Sequence, residues 1–496
     1  MRKIIPLGLI LIVYALLGAL YALRTPLWQN PDEPAHFNYI AQVAESGCCP
    51  VIAPGDWDQT YLRQLTTERF PPDLLDNLTA IQYEDHQPPL YYLTALPAYQ
   101  IGGGALMAVR AYTLLIGMGV IASAYLFIRI LLPVQPHLAF ITAGFIALLP
   151  QHLAILAAAN NDALAGLIVG FALIAAAVLL RGADLWPLVF VLAGIAALII
   201  LQINARMLMV NSLEGMIGTA LLAAFAIALV LLRRAPWRLG LPWLLGLIAG
   251  IGLLTKLSTA FLAGLLPVVL ILRWLDDRRQ SHTTAGDLAA ALALFLMPAL
   301  ALGAIWWVRN LQVYGPPDFL GLAAHDAVVA DQPRTSDMIT AWGLGGYLRA
   351  SLETTFNSFW GQFGWMALPL PRWAYDLISG LLLLVAGGWA ARAIALHSGR
   401  LAHPRPWQLQ VGLVLVLVAL LAVAQYIYYN LEFFQMQGRY LFPALIPFAL
   451  AVALGLDGWR ATFWPKLQGW WSAAPLLVLA AVNLYVLWRM LPLLAP

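Results

Sequence analysis

The sequence predicts an all-α membrane protein with many spanning helices, and three observations lead to that fold class. Of the 496 residues, 62% are hydrophobic and only 10% are charged, whereas soluble globular proteins carry about 25% charged residues. The apolar residues lie in long runs, and about 20 such residues in a row can cross a bilayer as one helix. Basic residues recur in every second short loop, as expected of cytoplasmic loops. A nucleic-acid-binding protein is disfavoured, because the net charge is only +3 and the basic residues are dispersed.

About thirteen apolar stretches are candidates for membrane-spanning helices. They cover residues 4–23, 105–131, 138–156, 162–180, 187–203, 213–232, 239–254, 257–273, 287–307, 374–391, 409–429, 440–456 and 472–490. The first follows two basic residues, but its length of about 20 residues suits a membrane anchor better than a cleaved signal peptide. We therefore predict a single membrane domain over residues 1–496, with no soluble terminal domain.

The basic residues also predict the orientation of the chain. With a cytoplasmic N-terminus, the inner side holds Arg2, Lys3, Arg129, Arg181, Arg233, Arg234, Arg238, Arg273, Arg278, Arg279, Arg392, Arg400, Arg405, Arg460 and Lys466. Most of the acidic residues then fall on the outer side. This pattern predicts a protein integral to the cell membrane whose active face is external or periplasmic.

Two long external segments interrupt the run of helices. Residues 24–104 are rich in acids and contain moderately amphipathic stretches, at 34–46 and 61–81, that predict short helices on the membrane surface. Residues 308–373 include the aromatic stretch "FNSFWGQFGWM", which is typical of a membrane interface. The adjacent Cys48 and Cys49 match no zinc or redox spacing, so we interpret them as structurally incidental.

The strongest motif is "NPDEPAHFNYI", residues 30–40, directly after the first apolar stretch. Pro34 suits the first turn of a helix, which puts Asp32 and Glu33 at a helix N-terminus where negative charge is stabilised. Ordinary first-turn acids would explain the pair at most helix starts, but an uncompensated charge so close to the lipid boundary is costly, which favours a functional role. Asp32 and His36 are also spaced to share a helix face, but no further ligand follows at metal-binding spacing, so no metal site is predicted.

A second motif, "YEDHQPPLYYL", covers residues 83–93 at the far end of the same segment. Two prolines fix the direction of the chain as it returns to the membrane. The preceding residues Glu84, Asp85, His86 and Gln87 are polar and crowd this turn. Another polar group, "AANNDALAG" at residues 158–166, contains Asp162 at a helix junction on the same side of the membrane; its asparagines can equally be helix caps.

Four cations lie at outer helix ends, where the positive-inside rule does not explain them: Arg110, Lys256, Arg309 and Arg439. Snorkelling to the interface explains any one of them alone. Four of them on the acidic side of the membrane indicate a site for a phosphate or pyrophosphate. A carboxylate can act there as a general base on a hydroxyl, and the cations can stabilise a departing lipid phosphate.

At these residues the sequence resembles the GT-C superfamily of integral membrane glycosyltransferases. The resemblance is carried by the Asp32–Glu33 pair, "HQPPLYY", "VRAYTLL", "NND" at 160–162 and the segment around Lys256. The later segments "WWVRNLQVYG", "SFWGQFGWM" and "QGRYLFP" are similar to a group of predicted bacterial membrane proteins with the same N-terminal pattern. Together these motifs span about residues 1–445.

The resemblance implies inverting transfer of a sugar from a polyprenyl-phosphate donor to an acceptor hydroxyl. No cofactor is expected, since no clear metal site is visible in the sequence, although a divalent metal is not excluded by it. It implies that Asp32 is the base, with Glu33 as its helper or alternative. Lys256, Arg309, Arg439 and Arg110 are then the candidates for holding the donor phosphate. The substrate cavity is expected to include His36, Glu84, Asp85, His86, Gln87 and Asp162.

Two other functions stay open from the sequence. A polymerase or ligase of lipid-linked glycans has nearly the same chemistry but uses a pyrophosphate-linked oligosaccharide donor. A transporter or flippase is disfavoured, because transporters place ionisable residues near the middle of the bilayer. Here these residues fall at helix ends. The donor sugar and the acceptor are not encoded in any motif.

Overall fold

The computed structural model describes residues 5–182, 184–202, 212–280 and 283–496, and these are almost entirely helical. Arg2 and Lys3 of the predicted inner side, and the ends of the first and fifth apolar stretches, lie outside the described residues. The helices are α1 Ile5–Arg24, α2 Glu33–Ser46, α3 Gln59–Thr67, α4 Leu90–Ile101, α5 Leu106–Leu131, α6 Pro136–Leu148, α7 Pro150–Leu156, α8 Asp162–Arg181, α9 Leu188–Gln202, α10 Leu213–Arg234, α11 Leu241–Leu253, α12 Phe261–Arg279, α13 Ala285–Tyr314, α14 Leu322–Val328, α15 Thr335–Trp360, α16 Arg372–His397, α17 Pro406–Glu432, α18 Leu445–Phe463 and α19 Leu476–Tyr485.

Shorter elements join these helices. Short helices of 3-10 or π type cover Pro72–Ala80, Pro236–Gly240, Leu257–Thr259, Gly438–Ala444, Gly469–Ala473, Val486–Met490 and Leu491–Leu494. A two-stranded antiparallel hairpin, β1 Gln362–Phe363 and β2 Leu368–Pro369, follows α15.

Every predicted apolar stretch is helical where the structure describes it, but not every one is a straight span. Eleven helices of the described chain are long and apolar enough to cross a membrane. The stretch 138–156 forms α6 and α7, which bend by 68° at Pro150, and counting this pair as one span gives twelve. Proline removes a backbone donor and so breaks the ladder of helical hydrogen bonds there. The stretch 187–203 forms α9, whose described part has 15 residues and is shorter than a usual span.

Close backbone contacts hold the helices together. A Cβ atom on Gly388 of α16 would lie 1.8 Å from the carbonyl oxygen of Gly455 in α18, and one on Gly246 of α11 would lie 2.0 Å from the carbonyl oxygen of Phe295 in α13. Small residues at such crossings let helices approach within the bilayer, where van der Waals packing replaces the hydrophobic effect as the driving force.

The first external segment forms the predicted short helices and one that was not expected. α2, α3 and the turn Pro72–Ala80 match the two amphipathic stretches. α4 is different, because its residues 90–96 are all buried and belong to the main hydrophobic core. This helix enters the protein body and carries the end of the "YEDHQPPLYYL" motif inward.

The second external segment also differs from its expected form. It is occupied largely by α15, a helix of 26 residues with a kink at Gly343, whose φ is 68°. The aromatic stretch packs into the core instead of resting at the interface: Trp360 is 2% exposed and lies against Phe145 and Phe448.

Candidate active site

Asp32 and Arg439 form an ion pair between the two ends of the chain. Asp32 precedes α2 in a left-handed conformation with φ of 65°, which turns its carboxylate away from the helix. Arg439 Nη2 donates to Asp32 Oδ2, and Tyr83 donates its hydroxyl hydrogen to Oδ1 at 2.8 Å. The Asp32 side chain is 20% exposed. It is therefore fixed by two donors yet reachable from outside.

Asp162 and Lys256 form a second ion pair beside the first. Asp162 begins α8, where the helix dipole favours a negative charge. Lys256 follows α11 and donates its Nζ hydrogen to Asp162 Oδ1. The two side chains are 18% and 17% exposed, so this pair is also open to a ligand.

His36 and Glu84 complete the group. His36 Nδ1 lies 2.9 Å from the hydroxyl of Tyr92. One possible metal-ligand atom from each of Asp32, His36 and Glu84 lies within 4.8 Å of the other two. We call the six residues Asp32, His36, Glu84, Asp162, Lys256 and Arg439 the ion cluster. Five separate elements of the chain contribute to it, at one common end of the helices.

Several polar atoms in the ion cluster are buried without a hydrogen-bond partner. They are Glu84 Oε2, Asp162 Oδ2 and Arg439 Nε. Most buried polar side-chain atoms in native proteins are hydrogen-bonded, and an unsatisfied one costs about 1–3 kcal/mol. Three of them in one charged site indicate that a polar ligand completes the cluster.

The electrostatics of the cluster separate its carboxylates. Burial alone would raise the pKa of Asp32, but the charge of Arg439 and the hydrogen bonds from Arg439 and Tyr83 outweigh burial and lower it to about 2. Burial, aided by the negative charge of Asp32, raises the pKa of Glu84 to about 8. Burial lowers the pKa of His36 to about 3. At neutral pH, Asp32 is ionised, whereas Glu84 keeps its proton and His36 is neutral.

Asp32, His36 and Glu84 can also offer ligand atoms to a divalent cation. The sequence pattern did not show this group, because Glu84 comes from 48 positions further along the chain than His36. Such an ion would have to displace the proton of Glu84 and share Asp32 with Arg439, which already supplies a positive charge there.

Glu33 and Arg110 form an ion pair away from the cluster, and both side chains are 0% exposed. Arg110 Nε and Nη2 donate to the two carboxylate oxygens of Glu33 at 2.8 and 2.6 Å. Arg110 also donates to the carbonyl oxygens of Ala22, Thr25 and Pro26. This placement does not fit Glu33 as a general base or Arg110 as a ligand of the donor phosphate. Both side chains are fully buried, and their charged atoms are hydrogen-bonded to each other and to the backbone.

Arg309 is likewise engaged elsewhere. Its Nη2 donates to the carbonyl oxygens of Cys49 and Pro50, and its Nη1 donates to Asn310 Oδ1 at 3.0 Å. Cys48 and Cys49 form a vicinal disulfide, and the backbone N–H of Cys48 donates to Glu214. The backbone of the two cysteines is thus part of the segment that Arg309 and Glu214 hold to the membrane helices.

The remaining predicted residues line the turn beside Glu84. Asp85 Oδ2 accepts from Gln42 Nε2 at 2.8 Å, and burial raises the pKa of Asp85 to about 7. The imidazole of His86 lies 4.3 Å from that of His325, and burial lowers the pKa of His86 well below its usual range. Gln87 Nε2 lies 3.3 Å from His86 Nε2.

Sequence reasoning missed two tyrosines of the site. Tyr83 donates to Asp32, and Tyr92 contacts His36. Both occur in the "YEDHQPPLYYL" motif, but tyrosines next to a helix entry are also typical of a membrane interface. Nothing in their local pattern separates the two roles.

The fold and the site define a polytopic helical membrane protein with a partly enclosed, charged site at one end of its helices. No protein-family model matches the sequence, and no curated protein matches it. Among solved structures, ArnT from Cupriavidus metallidurans bound to undecaprenyl phosphate is similar at 15% identity and a TM-score of 0.43, covering 91% of this chain and 60% of that one.

An oligosaccharyltransferase from Archaeoglobus fulgidus, tethered with an acceptor peptide through a disulfide bond, is similar at 15% identity and a TM-score of 0.42, covering 99% of this chain and 55% of that one. Both are membrane glycosyltransferases of the GT-C superfamily, which the sequence motifs resemble. The chain spans 60% or less of these two proteins.

Proposed function

We propose that this protein is a glycosyltransferase that moves a sugar from a polyprenyl-phosphate donor to an acceptor hydroxyl, with inversion, on the side of the membrane where the ion cluster lies. The observation that carries the proposal is the ion cluster itself. It combines an accessible, ionised carboxylate with two cations and three buried polar atoms that lack partners. A phosphate on a lipid fits the cations, and a hydroxyl fits the carboxylate.

Lys256 and Arg439 are the proposed ligands of the donor phosphate. Arg439 Nε has no hydrogen-bond partner, and Lys256 is paired with a carboxylate that is itself only half satisfied. Positive charge at this place would stabilise the negative charge that develops on the departing lipid phosphate. Glu84, neutral at pH 7, can donate a hydrogen bond to the same phosphate without repelling it.

Asp32 is the proposed general base. Its low pKa in the unliganded site comes largely from Arg439, because burial by itself acts in the opposite direction. When a donor phosphate draws Arg439 to itself, Asp32 loses part of this stabilisation and becomes more basic. Donor binding would thus prepare the carboxylate to take a proton from the acceptor hydroxyl as the new bond to the sugar forms and the bond to phosphate breaks.

The test is transfer by the purified full-length protein with radiolabelled polyprenyl-phosphate sugars as donors. Asp32→Asn keeps the size of the side chain and removes the base, so the transfer rate should fall by about 10²–10⁴-fold. Asp76→Asn is the matched control, because Asp76 is exposed on the same external segment. If Asp32→Asn transfers sugar as well as the wild type, Asp32 is not the base.

Mass spectrometry of lipid that co-purifies with the protein separates this proposal from its neighbours. A monosaccharide linked to a polyprenyl phosphate supports it. A pyrophosphate-linked oligosaccharide would instead indicate a polymerase or ligase of lipid-linked glycans. Substrate flux into liposomes without any transfer product would indicate a transporter or flippase.

A further inference from the structure

A large cavity runs between α15, α16, α17 and α18, behind the segment that carries Arg439. Its volume is about 1630 Å³, whereas small-molecule pockets usually have about 300–1,000 Å³. Along α17 its lining residues run from Trp407 to Leu431, which is about 36 Å at the rise of an α-helix. The hydrocarbon core of a bilayer is about 30 Å thick, so the cavity is long enough to cross one.

Charge is distributed unevenly along this cavity. The middle is apolar, and the end nearest the ion cluster is lined by uncharged polar residues such as Thr355, Tyr426 and Asn430. The opposite end, which the basic loops predict to be cytoplasmic, is lined by Arg181, Arg392, His403 and Arg405. Among the described residues that line the cavity there is no aspartate or glutamate.

Arg392 is a surplus cation at this end. The acid nearest to it is Asp457, which already accepts from Arg460 Nε at 2.6 Å and from Ser472 at 3.1 Å, and contacts His137 at 3.1 Å. Arg392 Nη1 stays 3.9 Å from Asp457 and is buried without a hydrogen-bond partner. A buried guanidinium N–H without an acceptor is costly, and an anion that enters the cavity beside Arg392 could supply that acceptor.

The other basic residues at this end of the cavity do not supply Arg392 with a counter-charge. Arg181 lies 3.5 Å from the exposed Asp184 and 5.9 Å from the ring of Trp407. His403 and Arg405 are exposed at the mouth of the cavity. Arginine side chains therefore line the mouth of the cavity without an aspartate or glutamate among the described lining residues.

We infer that this end of the cavity binds an anionic phospholipid of the leaflet opposite the ion cluster, with its phosphate on Arg392 and Arg405 and its acyl chains along α17. Arginine guanidinium groups are well suited to lipid phosphates. The acyl chains would lie on Leu409, Leu415 and Val416 in the apolar middle of the cavity. The inference does not rest on the proposed transfer reaction, because the mouth and the ion cluster lie at opposite ends of the helices.

The test titrates the purified full-length protein with dioleoylphosphatidylglycerol and counts bound lipids by native mass spectrometry. Arg392→Gln should weaken binding about tenfold, the effect of losing one hydrogen bond to a charged group. The matched control Arg234→Gln removes an exposed cation on the same face that does not line the cavity, and it should bind as the wild type does. In the Arg392→Gln variant, Asp457 still has its contacts with Arg460 and His137, so the substitution does not leave Asp457 as a buried charge without a partner.

Gly412→Leu tests the apolar wall without changing charge. A Cβ atom on Gly412 would meet nothing within 4 Å, and Gly412 lines the cavity. Leucine also favours a helix more than glycine does. The variant should fold and should bind phosphatidylglycerol more weakly, because its side chain fills the space of an acyl chain.

Three results would overturn the inference. Equal binding of dioleoylphosphatidylcholine, whose headgroup has no net charge, would leave only an unselective apolar cavity. Equal weakening by Arg392→Gln and Arg234→Gln would show a general effect of surface charge. Binding of inorganic phosphate as tight as that of phosphatidylglycerol would show a free-anion site in place of a lipid site.

Discussion

Glu33→Gln should destabilise the protein without removing its chemistry. Arg110 directs two charged hydrogen bonds to Glu33 and donates to three main-chain carbonyl oxygens, and both side chains are fully buried. The substitution leaves a buried arginine without its counter-charge, which costs about 3–5 kcal/mol. Native proteins are stable by about 5–15 kcal/mol, so a folded population should remain.

The assay combines thermal unfolding in detergent with sugar transfer per folded molecule at low temperature. Glu33→Gln should lower the midpoint of unfolding and leave transfer per folded molecule unchanged, whereas loss of a general base would cost about 10²–10⁴-fold in rate. Glu68→Gln, on the exposed side of the same segment, is the control. Adding Arg110→Gln should restore part of the stability, because no buried charge is then left unpaired. A stable Glu33 variant that has lost transfer would refute the structural role of this pair.

Three further predictions concern the ion cluster. Burial raises the pKa of Glu84 to about 8, so above that pH the side chain adds a negative charge beside the donor phosphate. The transfer rate should therefore fall on the alkaline side of the pH–rate profile, and Glu84→Gln should remove that fall. Arg439→Gln removes the charge that keeps the pKa of Asp32 low, so this pKa should rise. Since only ionised Asp32 can act as base, the residual transfer rate of the variant should be lost at a higher pH than that of the wild type as the pH is lowered. An acid limb at the same pH in both proteins would contradict this pairing. Because Arg439 already supplies positive charge at Asp32, transfer should persist after treatment with EDTA; loss of activity that Mn²⁺ restores would instead assign Asp32, His36 and Glu84 as metal ligands.

The order of the helices and the gathering of charged residues at one end of them could be predicted from the sequence. Both depend on local properties, namely the length of an apolar run and the sign of charge in the loop that follows it. The local pattern also indicated Asp32, Lys256 and Arg439, since charged groups at the membrane boundary are costly. It could not show the break at Pro150 between α6 and α7, or that α4 would be buried in the protein body.

The partner of each charge was decided only by the tertiary structure. Asp32 and Glu33 are neighbours in sequence, yet the left-handed conformation of Asp32 turns one carboxylate to Arg439, while the helical position of Glu33 directs the other to Arg110. These partners come from 407 and 77 positions away in the chain. The ends of an apolar run set how deep a residue lies in the membrane, but the angle of each helix around the bundle depends on packing between helices. That angle, and hence the convergence of six residues from five elements on one site, is not contained in any local stretch of the sequence.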